Sequence, residues 1–119
     1  MKRDTDRTDS DRTTICVLLD YYGALLSEPQ RNVLKLYFED DLSLSEISGL
    51  LKISRQGVHD LIRRGSDRLV LYERKLGLFE RDQAMYETVR HARESLAVSD
   101  YEAVGEDLMS LSSVIGLGS

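Results

Sequence analysis

Three side chains at the start of a predicted helix carry the hydrogen-bonding groups that can read nucleic-acid bases. Arg55, Gln56 and His59 lie on its first exposed turns. Arginine can form two hydrogen bonds with guanine, and glutamine can do the same with adenine. Lys52 and Arg63 flank these residues and are expected to meet phosphates. The chemistry suggested by this group is therefore groove contact with a nucleic acid.

A solvated helix surface explains the same charges equally well. Acids lie close in sequence to the basic side chains Arg63, Arg64 and Arg68, a spacing typical of surface ion pairs. Asp60, on the same side as the base-reading group, would repel phosphate. His59 is more simply an exposed polar residue than a pH switch. Groove contact and a solvated surface both remain open at this point.

The charge of the chain is unevenly distributed. The 119 residues carry a net charge of −5, which taken alone argues against nucleic-acid binding. Residues 43–75, however, hold seven basic and four acidic side chains, so this segment is +3 and the remainder is −8. A basic segment inside an acidic chain is typical of a modest or regulated nucleic-acid binder, because phosphate affinity grows with the number of cations in place.

Catalysis is the least favoured function. The two histidines, His59 and His91, are far apart in sequence, and neither has cysteines or carboxylates at metal-ligand spacing. Cys16 has apolar neighbours, which is typical of a small core residue rather than a nucleophile. No glycine-rich loop follows a predicted strand. The sequence predicts no catalytic residue, no metal site and no cofactor.

The elements that must position the basic group form a helix-turn-helix pattern. Ser43 and Glu46 have the spacing of a capping box and start a short helix. A three-residue turn follows, Lys52–Ser54, in which Ser54 is a candidate N-cap of the second helix. Apolar residues recur at the offsets that two crossing helices need, at Ile47, Leu51, Ile53, Val58, Leu61 and Ile62.

The rest of the chain also has helical periodicity, and the predicted fold is all-α. We expect a disordered N-terminal arm over residues 1–12, a helix-turn-helix domain over 13–75 and a C-terminal helical extension over 76–115. A break is expected near Gly77, and a capping box at Ser99–Glu102. The longest apolar run, residues 15–26, is too short for a membrane span, which needs about 20 residues. With a single cysteine, the sequence favours a cytoplasmic protein.

The segment Leu42–Arg64, LSLSEISGLLKISRQGVHDLIRR, resembles region 4 of bacterial sigma factors, a helix-turn-helix related to winged-helix folds but without a wing. A wider stretch from Tyr21 to Glu80 resembles the YlxM family of helix-turn-helix proteins. The matching features, in chain order, are Tyr21-Tyr22, Leu25-Leu26, Gln30, Leu36-Tyr37, Asp40–Leu44, Glu46-Ile47, Ser54–Gln56, Val58, Asp60, Tyr72-Glu73 and Lys75-Leu76.

The resemblance implies a small bacterial cytosolic regulator. Genes of that family lie beside those of the signal recognition particle, so it implies binding to DNA, to the particle RNA or to particle proteins. The sequence departs from the family pattern at three positions. Lys52 stands where the turn usually has glycine, which would strain the turn if φ is positive. Gly57 and Gly65 stand where alanine is usual and lower helix propensity.

The apolar stripe continues well beyond the helix-turn-helix, and this excess needs a partner. We expect a homodimer formed through Leu69, Tyr72, Leu76, Phe79, Tyr86 and Leu108, because helix-turn-helix readers commonly dimerise to match two half-sites. The alternative is that the last helix folds back and completes a monomeric bundle.

Overall fold

The computed structural model describes the backbone of residues 2–116 and the side chains of residues 12–116. This part of the chain is helical and has no strand, which confirms the all-α prediction. Its α-helices are α1 (Lys2–Tyr22), α2 (Glu28–Leu34), α3 (Leu44–Leu51), α4 (Arg55–Leu76), α5 (Leu78–Ala97) and α6 (Tyr101–Val114).

The chain divides into two compact units, residues 1–77 and residues 78–119. The first contains α1 to α4 and the second contains α5 and α6. Residues 2–12, for which the sequence predicts a disordered arm, are part of α1. Apart from Arg12, the side chains of this predicted arm lie outside the described residues, as does Met1.

Helix α2 begins at a cap and ends in a widened turn. Ser27 accepts a hydrogen bond from the Gln30 amide at 3.4 Å, and a proline occupies the first turn, where its missing N–H is harmless. A π-helical turn, Lys35–Glu39, follows directly. Side chains of α1 bond its carbonyls: Arg12 donates to the Tyr37 oxygen at 3.0 Å. The turn is thereby fixed against α1.

Helices α2 and α4 approach closely at a glycine. A Cβ built at Gly65 would lie 2.8 Å from Cδ1 of Leu34, a fully buried side chain. Gly65 therefore lets the two helices cross where alanine would clash. Further along α4, the hydroxyl of Tyr22 donates to the Glu73 carboxylate at 2.6 Å and links α1 to α4.

The helix-turn-helix has its own apolar core. Val33, Ile47 and Val58 are fully buried, and seven partly buried side chains pack against them: Leu36, Tyr37, Leu42, Leu44, Leu51, Leu61 and Ile62. Five of the six apolar positions expected from the sequence belong to this core, whereas Ile53, in the turn, is 37% exposed and corrects that expectation. Leu50, the neighbour of Leu51 on α3, is 61% exposed and lies outside this core.

The second unit is a helical hairpin. Helix α4 ends at Gly77, whose φ of 62° is the left-handed conformation that glycine adopts without strain. This confirms the predicted break. The cap of α6 is Asp100, which accepts from the Ala103 amide at 3.1 Å. The capping box expected to begin at Ser99 is wrong by one residue, and Ser99 itself has a φ of 61°.

Candidate nucleic-acid interface

The start of α3 is held by the predicted capping box. The Ser43 hydroxyl accepts from the Glu46 amide at 3.1 Å, and the Glu46 carboxylate accepts from the Ser43 amide at 2.8 Å. Two N–H groups that would otherwise lack helical partners are satisfied reciprocally. The capping box therefore fixes the residue at which α3 begins.

The turn between α3 and α4 is tight and is held by hydrogen bonds to the end of α3 and the start of α4. Lys52 adopts φ 59° and ψ 42°, and its amide donates to the Ser48 carbonyl at 2.9 Å. The Ser48 hydroxyl donates to the Ile53 carbonyl at 2.5 Å. Ser54 then caps α4 by accepting from the Gly57 amide at 2.9 Å. The strain expected from lysine at a glycine position is present, because φ is positive.

The predicted base-reading residues lie at the exposed start of α4. Arg55, Gln56 and His59 are all exposed, as is Lys52 in the turn. At 100° per residue, Gln56 and Arg63 point away from Val58, the residue that anchors this end of α4 in the core. The five residues predicted from the sequence therefore belong to one solvent-facing segment, Lys52–Arg63, which we call the reading surface.

One acid lies in the middle of the reading surface. The Gln56 amide nitrogen donates to Asp60 Oδ1 at 3.2 Å. Arg63 Nη2 lies 3.9 Å from the same oxygen. Asp60 thus holds the Gln56 side chain and partly neutralises Arg63. The i,i+4 spacing of Gln56 and Asp60 could have indicated this bond from the sequence.

Two of the other arginines of α4 lie elsewhere on the helix. Arg64 and Arg68 line a shallow depression beside Gln30, Asp67 and Leu71. This flank is displaced around α4 from the side that carries Gln56 and Arg63. The structure therefore separates the predicted phosphate contact Arg63 from its two basic neighbours.

The six residues predicted to form a dimer contact divide between the two units. Leu69 is fully buried in the first unit, so its side chain is core and not surface, which corrects that expectation. Tyr72 is half-buried, and its hydroxyl donates to the Leu25 carbonyl at 3.3 Å. Leu76 is exposed at the end of α4. In the second unit, Phe79 is half-buried, whereas two residues are exposed, Tyr86 and Leu108.

Cys16 has the surroundings of a structural cysteine. Its thiol lies 3.5 Å from the Phe38 carbonyl oxygen in the direction of a weak hydrogen bond. Burial, together with the nearby charge of Glu39, raises the pKa of the Cys16 thiol. A thiol with a raised pKa stays protonated at neutral pH and is a poor nucleophile.

Among the described residues, no three histidine, cysteine, aspartate or glutamate side chains converge as metal ligands. None of the helices in that part of the chain combines the length and apolar character needed to cross a bilayer.

The packed pair α3–α4, with its short turn and exposed second-helix start, defines a helix-turn-helix protein. A family model described as "Putative helix-turn-helix protein, YlxM / p13 like" matches residues 10–106. The chain belongs to this family.

Several bacterial relatives named UPF0122 protein are similar over most of the chain. One from Clostridium botulinum is 44% identical over 94 residues, covering 76% of this chain and 86% of the relative. One from Caldanaerobacter subterraneus is 42% identical over 88 residues, covering 74% of this chain and 75% of the relative. One from Clostridium kluyveri is 53% identical over 70 residues, covering 59% and 63%.

Proposed function

We propose that the protein is a regulator that binds nucleic acid through the reading surface, with Arg55, Gln56 and His59 toward the bases and Lys52 and Arg63 at phosphates. The observation that carries the proposal is the exposed start of α4 on a rigidly bonded helix-turn-helix. In such folds, the first turns of the second helix enter the major groove.

The electrostatics favour modest affinity. The segment from residue 43 to residue 75 is +3 within an acidic chain. Asp60 places a negative charge among the reading residues. Sequence-independent attraction to phosphate therefore comes from a few cations only. The slope of log affinity against log salt should accordingly be small but not zero.

Equilibrium titration tests this function. Fluorescence anisotropy with a labelled DNA duplex and a labelled structured RNA compares the wild type with Arg55→Ala. Arg81→Ala, an equal loss of charge in the second unit, is the control. We expect Arg55→Ala to weaken binding by about tenfold and Arg81→Ala to leave it nearly unchanged. Equal affinities for wild type and Arg55→Ala would contradict groove contact.

A second candidate is an interaction factor of the signal recognition particle pathway, binding particle protein or RNA without sequence-specific DNA binding. The acid within the reading surface favours it, because Asp60 opposes close phosphate approach. The family resemblance is the basis for naming that pathway. A pull-down of particle proteins that survives Arg55→Ala would favour this candidate, and failure of the wild type to capture any particle protein would count against it.

A further inference from the structure

The α5–α6 hairpin exposes apolar side chains that it does not cover itself. Of the described residues in the second unit, Ser95 alone is buried, and it is polar. The exposed apolar side chains include Tyr86, Val89, Leu96, Tyr101, Leu108 and Ile115. Two packed helices without a buried apolar side chain have little hydrophobic stabilisation, and an exposed apolar patch of this kind marks an interaction surface.

These residues follow the spacing of helices that pack along their length. In α6 and its C-cap, the apolar residues Tyr101, Val104, Leu108, Leu111 and Ile115 are separated by steps of three and four. Such a pattern, with a mean period of 3.5 residues, is the heptad spacing of coiled-coil helices. Alternate members, Val104 and Leu111, are half-buried, whereas the other three are exposed.

The same pattern continues on α5. Met85, Val89, Ala92 and Leu96 also follow steps of four and three, and here Met85 and Ala92 are the half-buried members. Each helix of the hairpin therefore covers every second apolar residue of the other helix and leaves the residues between them exposed. The remaining half of both stripes is left for a further pair of helices.

The register of the hairpin places the two exposed halves together. His91 Nδ1 lies 2.6 Å from Asp107 Oδ2 and sets α5 against α6. In this antiparallel register Leu96 is level with Tyr101 and Val89 with Leu108. On each helix, the exposed apolar residues lie to the C-terminal-turning side of the row of half-buried residues where the two helices touch. Because antiparallel helices wind in opposite senses when viewed from one end, these exposed residues fall on the same face of the hairpin. We call this face the seam. It consists of Val89, Leu96, Tyr101, Leu108 and Ile115, together with Tyr86, which lies beside Val89 at its edge.

We propose that the seam binds the seam of a second copy of this chain, so that two hairpins form a four-helix bundle. The heptad pattern is self-complementary, as an isologous contact requires. The six side chains together expose an accessible surface of roughly 600 Å² per copy. This area approaches the ~800 Å² that each partner buries in a standard interface.

Charge also favours a second copy. The charged side chains of α6 are all acidic: Glu102, Glu106 and Asp107. All arginines of the hairpin are on α5. Arg93 flanks the seam and has no ion pair among the described side chains. Packing α5 of one copy against α6 of the other therefore brings opposite charges together and disfavours α6 against α6.

Sedimentation equilibrium of the full chain without nucleic acid tests the proposal. The wild type is expected to dimerise at concentrations on the order of tens of micromolar. Leu108→Ala is expected to weaken the dimer by at least about tenfold. Met109→Ala is the matched control, because Met109 is 75% exposed on the same helix but points away from the seam, and its dimer should be unchanged.

A monomeric wild type would overturn the proposal, and so would a seam that binds a different protein in place of a second copy. Equal weakening of the dimer by both alanine variants would also overturn it. Far-UV circular dichroism establishes that the variants keep their helices. Arg93→Glu supplies a second test, since an exposed charge reversal leaves the hairpin folded. We expect a weaker dimer that salt partly restores, and an unchanged dimer would overturn the charge argument. Because no nucleic acid is present, the result is independent of the function proposed above.

Discussion

Gln56 and Asp60 are joined by a hydrogen bond of 3.2 Å on the solvent-facing side of α4. The bond fixes the glutamine side chain in the first turn of the helix, and it places a carboxylate between the residues proposed to meet bases and phosphates. A surface built only for phosphate affinity would not contain this charge. The relationship between the two residues therefore limits how tightly the reading surface can bind.

Removing the charge of Asp60 should strengthen binding. Asp60→Asn keeps the size and one acceptor oxygen for Gln56 but abolishes repulsion of phosphate. We expect affinity for a DNA duplex to rise by roughly threefold or more at low salt and by less at high salt. Anisotropy titration measures it, with Glu80→Gln in the second unit as the control for net charge. Unchanged or weaker binding by Asp60→Asn would show that phosphates do not approach this residue.

Lys52 should have opposite effects on stability and on binding. Its φ of 59° is strained for lysine and relaxed for glycine. Lys52→Gly should therefore raise the free energy of unfolding by about 0.5–1 kcal/mol, measured by urea denaturation, while weakening nucleic-acid binding. Lys52→Ala removes the same charge without relieving the backbone, so it should weaken binding with no gain in stability. A Lys52→Gly protein that is less stable than Lys52→Ala would refute this account of the turn.

Gly65 and Gly49 should respond oppositely to alanine. At Gly65, a Cβ meets the buried Leu34 at 2.8 Å, whereas at Gly49 nothing lies within 4 Å. Gly65→Ala should lower the free energy of unfolding by about 1–3 kcal/mol through overpacking. Gly49→Ala should raise it by about 0.5–1 kcal/mol through helix propensity. Thermal denaturation of both variants provides the comparison, and a stabilising Gly65→Ala would exclude the close helix crossing.

The hairpin should lose an interaction as pH rises. The hydrogen bond to Asp107, and then its charge, raise the pKa of His91 above the ordinary 6.5. Because the folded pKa is the higher one, the contribution is complete below 6.5 and is lost as pH rises through the folded pKa. NMR titration of the imidazole should give a higher pKa in the wild type than in Asp107→Asn. Equal values in the two proteins would mean that the ion pair does not form in solution.

Local signals in the sequence predicted the helix-turn-helix well. The capping box of Ser43 and Glu46, the cap at Ser54 and the buried positions of Ile47 and Val58 depend on neighbours within a few residues or on helical period. The strain at Lys52 was expected only on the condition that φ is positive, and that expectation came from the family resemblance, in which glycine usually stands at this position of the turn.

Features that depend on contacts between distant elements were not predictable in this way. Gly65 looks like a weak point of a helix until Leu34 is placed against it. Leu69 continues the row of apolar residues that the sequence predicts to form a dimer contact, yet the packing of the first unit buries it completely. Periodicity identifies an apolar face, but which element covers that face is decided by tertiary structure.

The salt dependence of binding tests the proposed function most directly. The reading surface carries three cations, Lys52, Arg55 and Arg63, so a plot of log affinity against log salt for a DNA duplex should have a slope of roughly −2 to −3. Arg63→Ala should make the slope shallower by about one phosphate contact, while Arg81→Ala should not change it. A flat plot, or slopes that are the same for the wild type and Arg63→Ala, would contradict nucleic-acid binding through the reading surface.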